Sequence, residues 1–390
     1  MNNIFGNQAV SGDDFFGRGE IVKHLKGILT AKNSFLLLGL RRIGKSSAIK
    51  EAVRKISLEN KQIEIIEINC QTYKSIQDFY KNLHLALPRN WQDKVIEAFK
   101  ESKRLPKKLL DAITDHVEEI DLPYVGSIKL RNDTLSYANT IKEELTAFFK
   151  KQDKHIVLVI DELPFLFEHI AQTQNEAIKL EIEMILSTLR SWRDIGISQA
   201  ICGSLNLHIQ LEQLDISRKL LGGVITQTLP KYSEEESKGL LKALAITDKL
   251  PLEEKHIAEM LNLIPDWIPQ FLQYFYFSVK IHSSIDLNNI EAVYEKYVYP
   301  EIVRDFVYQF NDRFAALNKT DLQITIKILN KILQKPNISE TELLKDMKGE
   351  NPYTVLLTLT NQDFIVVNEH QCYDFSFNLI RNWWQKKNIK

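Results

Sequence analysis

Residues Phe35 to Ser47 read FLLLGLRRIGKSS, and this stretch constrains the rest of the chain. Four apolar residues, Phe35 to Leu38, run straight into Gly39, and Gly44, Lys45 and Ser46 complete the pattern G-x-x-x-x-G-K-[ST]. A short apolar run before a glycine reads as a buried strand. After the turn, Ala48, Ile49, Ala52, Val53 and Ile56 recur at three- and four-residue steps, the apolar stripe of a helix. Strand, loop and helix form the context in which this pattern binds phosphate. Gly39 and Gly44 let the backbone curl so that several N–H groups face one anion, with a helix N-terminus behind them. Lys45 is a mobile cation that reaches the outer phosphates, and the Ser46 hydroxyl is a ligand for Mg²⁺. Arg42 and Ser47 belong to the same loop and are candidates for nucleotide contact. A chance match in a glycine-containing turn is the alternative, and the flanking strand and helix argue against it.

A second motif follows downstream. His155 to Glu162 read HIVLVIDE: an apolar run ending in two carboxylates. Such a run is a strand buried on both faces, as in a parallel sheet. Its carboxyl end is where open α/β sheets place their ligands. Asp161 is the candidate second ligand for Mg²⁺, and Glu162 the candidate base for the water that attacks the γ-phosphate. Alone, an apolar run ending in two acids would be a strand cap; after a phosphate loop the catalytic reading is preferred.

The chain is 390 residues long, enough for two or three domains, with 44% hydrophobic and 26% charged residues. A formal net charge of −1 gives no global attraction to nucleic acid or to an anionic membrane. No apolar run approaches the ~18–20 residues a bilayer span needs. The first residues show no secretion signal, and Cys70, Cys202 and Cys372 lie far apart without a metal spacing. The expectation is a cytoplasmic protein with reduced thiols.

Phe15 to Glu20 open a helix carrying Ile21, Val22, Leu25, Ile28 and Leu29. The segment is either a plain helix start or a cover for a nucleotide base. Ile63 to Ile68 is a strand, followed by a helix with Phe79 and Leu83. From about Pro88 to Ser136 the pattern degrades into charges of both signs, read as a solvated helical face or, more sharply, a partner-binding insertion. Val125 to Leu130 is a possible small strand. Ile141 to Phe149 is helical, and Asn175 to Arg193 is a long helix. Ile197 to Cys202 is a strand ending at Gly203, where Ser204 and Asn206 are either γ-phosphate sensors or ordinary turn residues. Val224 to Leu229 is the fifth strand. Short strands alternating with helices predict a three-layer domain around a parallel sheet.

From Ser233 onward the texture is helical, with Ser233 an N-cap before an acidic first turn. Leu322 to Leu333 opens a third unit. Two short helices around Leu343 and Val355 to Leu359 follow, then a hairpin of Phe364–Val367 and Cys372–Phe375, the order of a winged helix. The expected division is 1–230, 231–316 and 317–390. Asn351 to Gln362 holds no Lys or Arg, so base reading by that helix is not favoured.

Taken in order, FFGRGE, GLRRIGKSS, HIVLVIDE, ICGS, IPDWIPQFLQ and the terminal FNLIRNWW resemble the archaeal-type ATPase family. This family lies in the STAND branch of the AAA-related P-loop NTPases and is close to the Orc1/Cdc6-like ATPases in architecture. The resemblance implies an α/β, parallel-sheet P-loop NTPase domain of AAA/STAND type, then a helical lid domain and a winged-helix domain. It implies that Phe16, Gly17 and Arg18 lie by the adenine and ribose, and that Pro269 packs on the nucleotide from the lid. Two positions depart from the family pattern: Gly19 stands where an acidic residue is usual, with Glu20 next, and Trp267 replaces the glycine of the lid motif. Arg41, Arg42 and Arg193 all remain candidates for the arginine that senses the γ-phosphate. The expected protein is a Mg-ATP-dependent molecular switch with slow hydrolysis, acting through a protein partner or self-assembly. The rival is a DNA-associated ATPase, initiator-like or regulating a mobile element.

Overall fold

A computed structural model describes residues 9–39, 42–102, 128–172, 178–203, 207, 211, 214–264, 266–282, 289–304, 314, 317–345, 347, 352–361, 364–368 and 370–388. Contacts divide the chain into two compact units. One comprises Glu20–Leu38 and Ala48–Thr228; the other comprises Met1–Gly19, Gly39–Ser47 and Leu229–Lys390.

The first unit is built on five parallel strands, β1 (Ser34–Leu38), β2 (Ile63–Asn69), β3 (His155–Asp161), β4 (Ser198–Gly203) and β5 (Val224–Thr228), in the order β2-β3-β4-β1-β5. All five match the strands expected from the sequence. Every residue of β1 and β4 is buried, because each has a strand on both sides and helices over both faces. At the edge, β5 leaves Ile225 40% exposed. The connections are helical: α1 (Gly19–Thr30) precedes β1, and α2 (Lys45–Glu59) follows it. Then come α3 (Ile76–Leu85), α4 (Arg89–Ser102), α5 (Ile128–Lys150), α6 (Leu163–Gln172) and α7 (Ile178–Asp194).

Parallel pairing sets the geometry of the edge. Leu38 pairs with Gly203 and Ile160 with Ile201. The carboxyl ends of β1, β4 and β3 therefore lie on one edge of the sheet, and β1 runs there directly into Gly39 of the phosphate loop.

The described part of the stretch in which the sequence pattern degrades is helical with a charged outer face, the preferred reading of its mixed charges. In α4, Trp91, Val95 and Phe99 are buried while Lys94 and Lys100 are exposed. That four-residue step is an amphipathic helix, hidden in the sequence by its charged outer face. Trp91, Phe148, Phe149 and Trp192 meet edge to face at centroid distances of 5.4, 6.0 and 5.4 Å. The small strand expected over Val125–Leu130 is not one: Ile128–Leu130 already belong to α5. Residues 103–127 lie outside the described residues.

His84, on α3, is 2% exposed, and burial lowers its pKa from 6.5 to about 4, opposed by the charge of Asp93. The folded chain thus resists a proton that the unfolded chain accepts. The stability it allows is complete above pH 6.5 and falls as pH drops toward 4, by up to about 3 kcal/mol. Urea titrations at pH 7 and pH 4.5 are expected to show wild type losing about 2 kcal/mol more than His84→Phe. Equal losses would remove His84 from the acid response.

In the second unit, α8 (Glu234–Asp248) begins with a capping box: Glu236 N–H donates to Ser233 Oγ, and Ser233 N–H to Glu236 Oε2. Next come α9 (Glu254–Leu263) and α10 (Pro269–His282), then short consecutive helical segments Ile290–Val293, Tyr294–Val298 and Tyr299–Ile302. Toward the C-terminus lie α11 (Lys319–Gln334), β6 (Ile338–Ser339), α12 (Glu340–Leu344), α13 (Pro352–Asn361), β7 (Ile365–Val367), β8 (Cys372–Phe375) and α14 (Asn378–Asn388). The three strands form an antiparallel sheet in the order β6-β8-β7. The hairpin was legible in the sequence; the two-residue β6 was not. Trp384 Nε1 donates to Asn330 Oδ1 at 2.8 Å, tying α14 to α11. No described helix is long and apolar enough to cross a membrane.

Candidate functional site

The phosphate loop is held open by its backbone. Gly44 has φ +96° and Arg42 φ +73°, both in the left-handed region that a tight anion-facing turn requires. Ile43 points inward, 2% exposed, and plugs the underside of the loop. A Cβ on Gly39 would lie 3.2 Å from Ile43 Cγ2, a tight approach. Lys45 opens α2 and is 5% exposed; its Nζ donates to the Gly39 carbonyl at 2.9 Å. The ammonium is thus folded back over the loop that would cradle phosphate. Ser46, half-buried, stands on the first turn of α2. Ser47 Oγ accepts the Val10 N–H at 3.1 Å, anchoring the N-terminal lead.

Phe16, Gly17 and Arg18 are clasped by the start of α8. Tyr232 Oη donates to the Phe16 carbonyl at 2.7 Å, and Arg18 N–H to Glu236 Oε1 at 2.8 Å. The Phe16 ring lies so close to Gly239 that a Cβ there would meet it at 2.9 Å. Gly17 has φ +70° and Arg18 φ +56°, so the chain turns sharply here. The Arg18 guanidinium is 4.8 Å from the Tyr232 ring centroid, and its Nη2 donates to the Pro230 carbonyl at 2.8 Å. Arg18 is only 5% exposed, and its Nε and Nη1 have no hydrogen-bond partner among the described residues. Burial lowers its pKa, opposed by Tyr232 and Glu236. Unused donors on a buried guanidinium carry a cost that an added acceptor, water or ligand, would remove.

Pro269 is the first residue of α10, where its missing N–H costs nothing. Just before it, Asp266 is 2% exposed. Its carboxylate accepts from Lys231 Nζ at 2.6 Å and from the Leu379 N–H, in the first turn of α14, at 2.8 Å. Lys231 Nζ also lies 4.2 Å from the Phe377 ring centroid.

On the sheet edge, Asp161 ends β3 and its Oδ1 accepts the thiol proton of Cys202 at 2.7 Å. Glu162 follows with φ +55°. Leu163 and Pro164 then open α6, packed so tightly that a Cβ on Gly203 would meet Pro164 Cδ at 2.4 Å. Burial first, then the charges of Asp161 and Glu162, push the Cys70 thiol pKa up. No cluster of three or more His, Cys, Asp or Glu side chains able to hold a metal exists among the described residues. A single carboxylate such as that of Asp161 suits Mg²⁺, which keeps several waters when it binds.

The family model described as Novel STAND NTPase 6 matches residues 15–113. Among solved structures, the Walker-type ATPase PABY2304 of Pyrococcus abyssi is similar over 98% of this chain and 99% of its own, with TM-score 0.63 and 18% identity. The Aeropyrum pernix ORC2 protein, in its ADPNP–ADP complexes, is similar over 100% of this chain and 99% of its own, with TM-score 0.58 and 12% identity. No curated protein matches the sequence. The chain has the fold of the archaeal-type P-loop ATPases.

Within this P-loop ATPase fold, Arg193 is not where a γ-phosphate sensor on its own sheet would stand. It ends α7 and precedes Ser198, so it lies at the amino edge of the sheet, opposite the ends of β1 and β3. Its guanidinium is spent on Gln199 Oε1 at 2.8 Å and the carbonyls of Leu220 and Gly222 at 2.9 and 3.1 Å. Ser204, Asn206 and Arg41 lie outside the described residues. Tyr232, Glu236, Gly239 and Asp266 escaped the sequence reading. The capping-box spacing marked Glu236, but nothing local says that its other oxygen holds Arg18.

The Gly203–Pro164 approach yields a test. Gly203→Ala must push the start of α6, and Glu162 with it. Stability is expected to fall by about 2 kcal/mol. A variant that melts like wild type would show the approach to be slack.

Proposed function

We propose that the chain is a Mg-ATP-dependent molecular switch that hydrolyses its nucleotide slowly. In this reading it works as a P-loop ATPase domain (1–230), a helical lid (231–316) and a winged helix (317–390). The Gly39–Ser47 backbone and Lys45 hold the phosphates, Ser46 and Asp161 ligate Mg²⁺, and Glu162 takes the proton of the attacking water. Mg²⁺, when bound, neutralises phosphate charge. Phe16, Gly17 and Arg18 serve the base and ribose, with the unused Arg18 donors supplying the hydrogen bonds. The ADPNP–ADP complexes of the Aeropyrum pernix neighbour support adenine nucleotide as the ligand.

The observation that carries the switch is the strip Pro230–Lys231–Tyr232. On one side it receives Arg18 through the Pro230 carbonyl and the Tyr232 ring. On the other, Lys231 meets Asp266, which caps α14. A nucleotide that recruits Arg18 or displaces Pro269 acts on residues joined to the last helix by short polar contacts. The test is hydrogen exchange at the Leu379 amide in Mg-ADP and in a non-hydrolysable Mg-ATP analogue. Protection that differs between the two supports the switch; identical protection there and at Ile268 overturns it. Asp266→Asn, which loses the ion pair with Lys231, is expected to shrink that difference while nucleotide affinity stays within about threefold.

The exposed face of α13 presents Tyr353 and Leu357, at 54% and 39% exposure, and no cation. This favours a protein partner over duplex DNA. A salt-dependent gel shift would support the DNA-associated rival.

A further inference from the structure

We infer that Cys202 is a positioning residue for Asp161: its thiol holds one carboxylate oxygen so that the other faces the divalent cation of a bound nucleotide. The inference rests on the reading of Asp161 as a metal ligand and names what orients it.

The pairing of Ile160 with Ile201 places Asp161 beside Cys202 on the neighbouring strand. Side chains at registered positions of adjacent parallel strands leave the sheet on the same face, so the thiol and the carboxylate face each other by construction. Cys202 is fully buried, and its Sγ donates to Asp161 Oδ1 at 2.7 Å. The identity of the donor matters. A lysine or arginine here would neutralise the carboxylate and compete with the metal. A thiol is neutral and weak: it fixes the orientation of the carboxylate and leaves its charge for the cation. Partners of this kind commonly change metal affinity by about 10–100-fold when removed. Alanine lacks the donor, whereas serine keeps an O–H at nearly the same place.

The experiment uses the full chain and calorimetric titration with ADP, once in Mn²⁺ and once in EDTA. The ratio of the two affinities measures the metal's contribution. Cys202→Ala is expected to lower that ratio about tenfold without changing ADP affinity in EDTA. Cys202→Ser is expected to stay within about threefold of wild type. An unchanged ratio in Cys202→Ala overturns the inference, as does an equal loss in Cys202→Ser, which would point to packing rather than donation. If the alanine variant shows no cooperative melting transition, Cys202→Val, which fills the volume without a donor, takes its place under the same criteria. A wild-type ratio of one, with ADP bound in EDTA, would instead remove the metal-ligand reading of Asp161.

Discussion

Lys45→Ala is expected to abolish measurable ATP binding at micromolar concentrations. In the free chain the Lys45 ammonium is almost fully buried and turned onto the Gly39 carbonyl. That is a neutral acceptor, and two phosphate oxygens would replace a bond with one charged partner by bonds in which both partners are charged. Each is worth about 1.5–3 kcal/mol, so losing both bonds costs about 3–6 kcal/mol, or roughly 10²–10⁴-fold in affinity. Calorimetric titration with Mg-ATP reads this directly. Lys45→Met keeps most of the side-chain packing without the charge, and should lose binding to the same degree while melting near wild type. ATP affinity within about threefold of wild type in both variants would rule out the loop as the phosphate site.

Glu162→Gln should show the complementary pattern. ATP binding is retained, and turnover falls about 10²–10⁴-fold, the usual contribution of a positioned general base. Glu162 sits in the left-handed region at φ +55°, in the turn between β3 and α6. For a residue with a Cβ this costs about 1 kcal/mol, a strain that concentrates at functional positions. Glu162→Gly separates the two effects. It should relieve strain and raise stability by up to about 1 kcal/mol, yet turn over no faster than the glutamine variant. Steady-state phosphate release measures both variants. Normal turnover in Glu162→Gln would move the base to another residue.

These expectations draw on parts of the chain that differ in how far sequence alone exposes them. The phosphate loop is local: Gly39, Gly44, Lys45 and Ser46 lie within eight successive positions, and their spacing alone selects the turn. β1 and β3 were legible because burial on both faces makes them near-continuous apolar runs, whereas the partly exposed β2 and β5 were legible through their isoleucine, valine and threonine content. α4 was obscured because its inward stripe of Trp91, Val95 and Phe99 is thin against its charged residues. Arg193 stayed open among three arginines because chain order does not show that its guanidinium is held by Gln199, Leu220 and Gly222.

By itself, the sequence determined the phosphate-binding turn, the acidic end of β3 and the alternation of strands and helices. Each depends on neighbours within a few residues. Only the tertiary structure decided that Cys202 meets Asp161, that Gly203 leaves room for Pro164, that Glu236 and Tyr232 hold Arg18, and that Asp266 caps α14. These pairs are separated by tens to hundreds of positions, as in Arg18 with Glu236 and Asp266 with Leu379. Their formation depends on strand register and helix packing, which arise from burial of the whole core and leave no mark in local spacing.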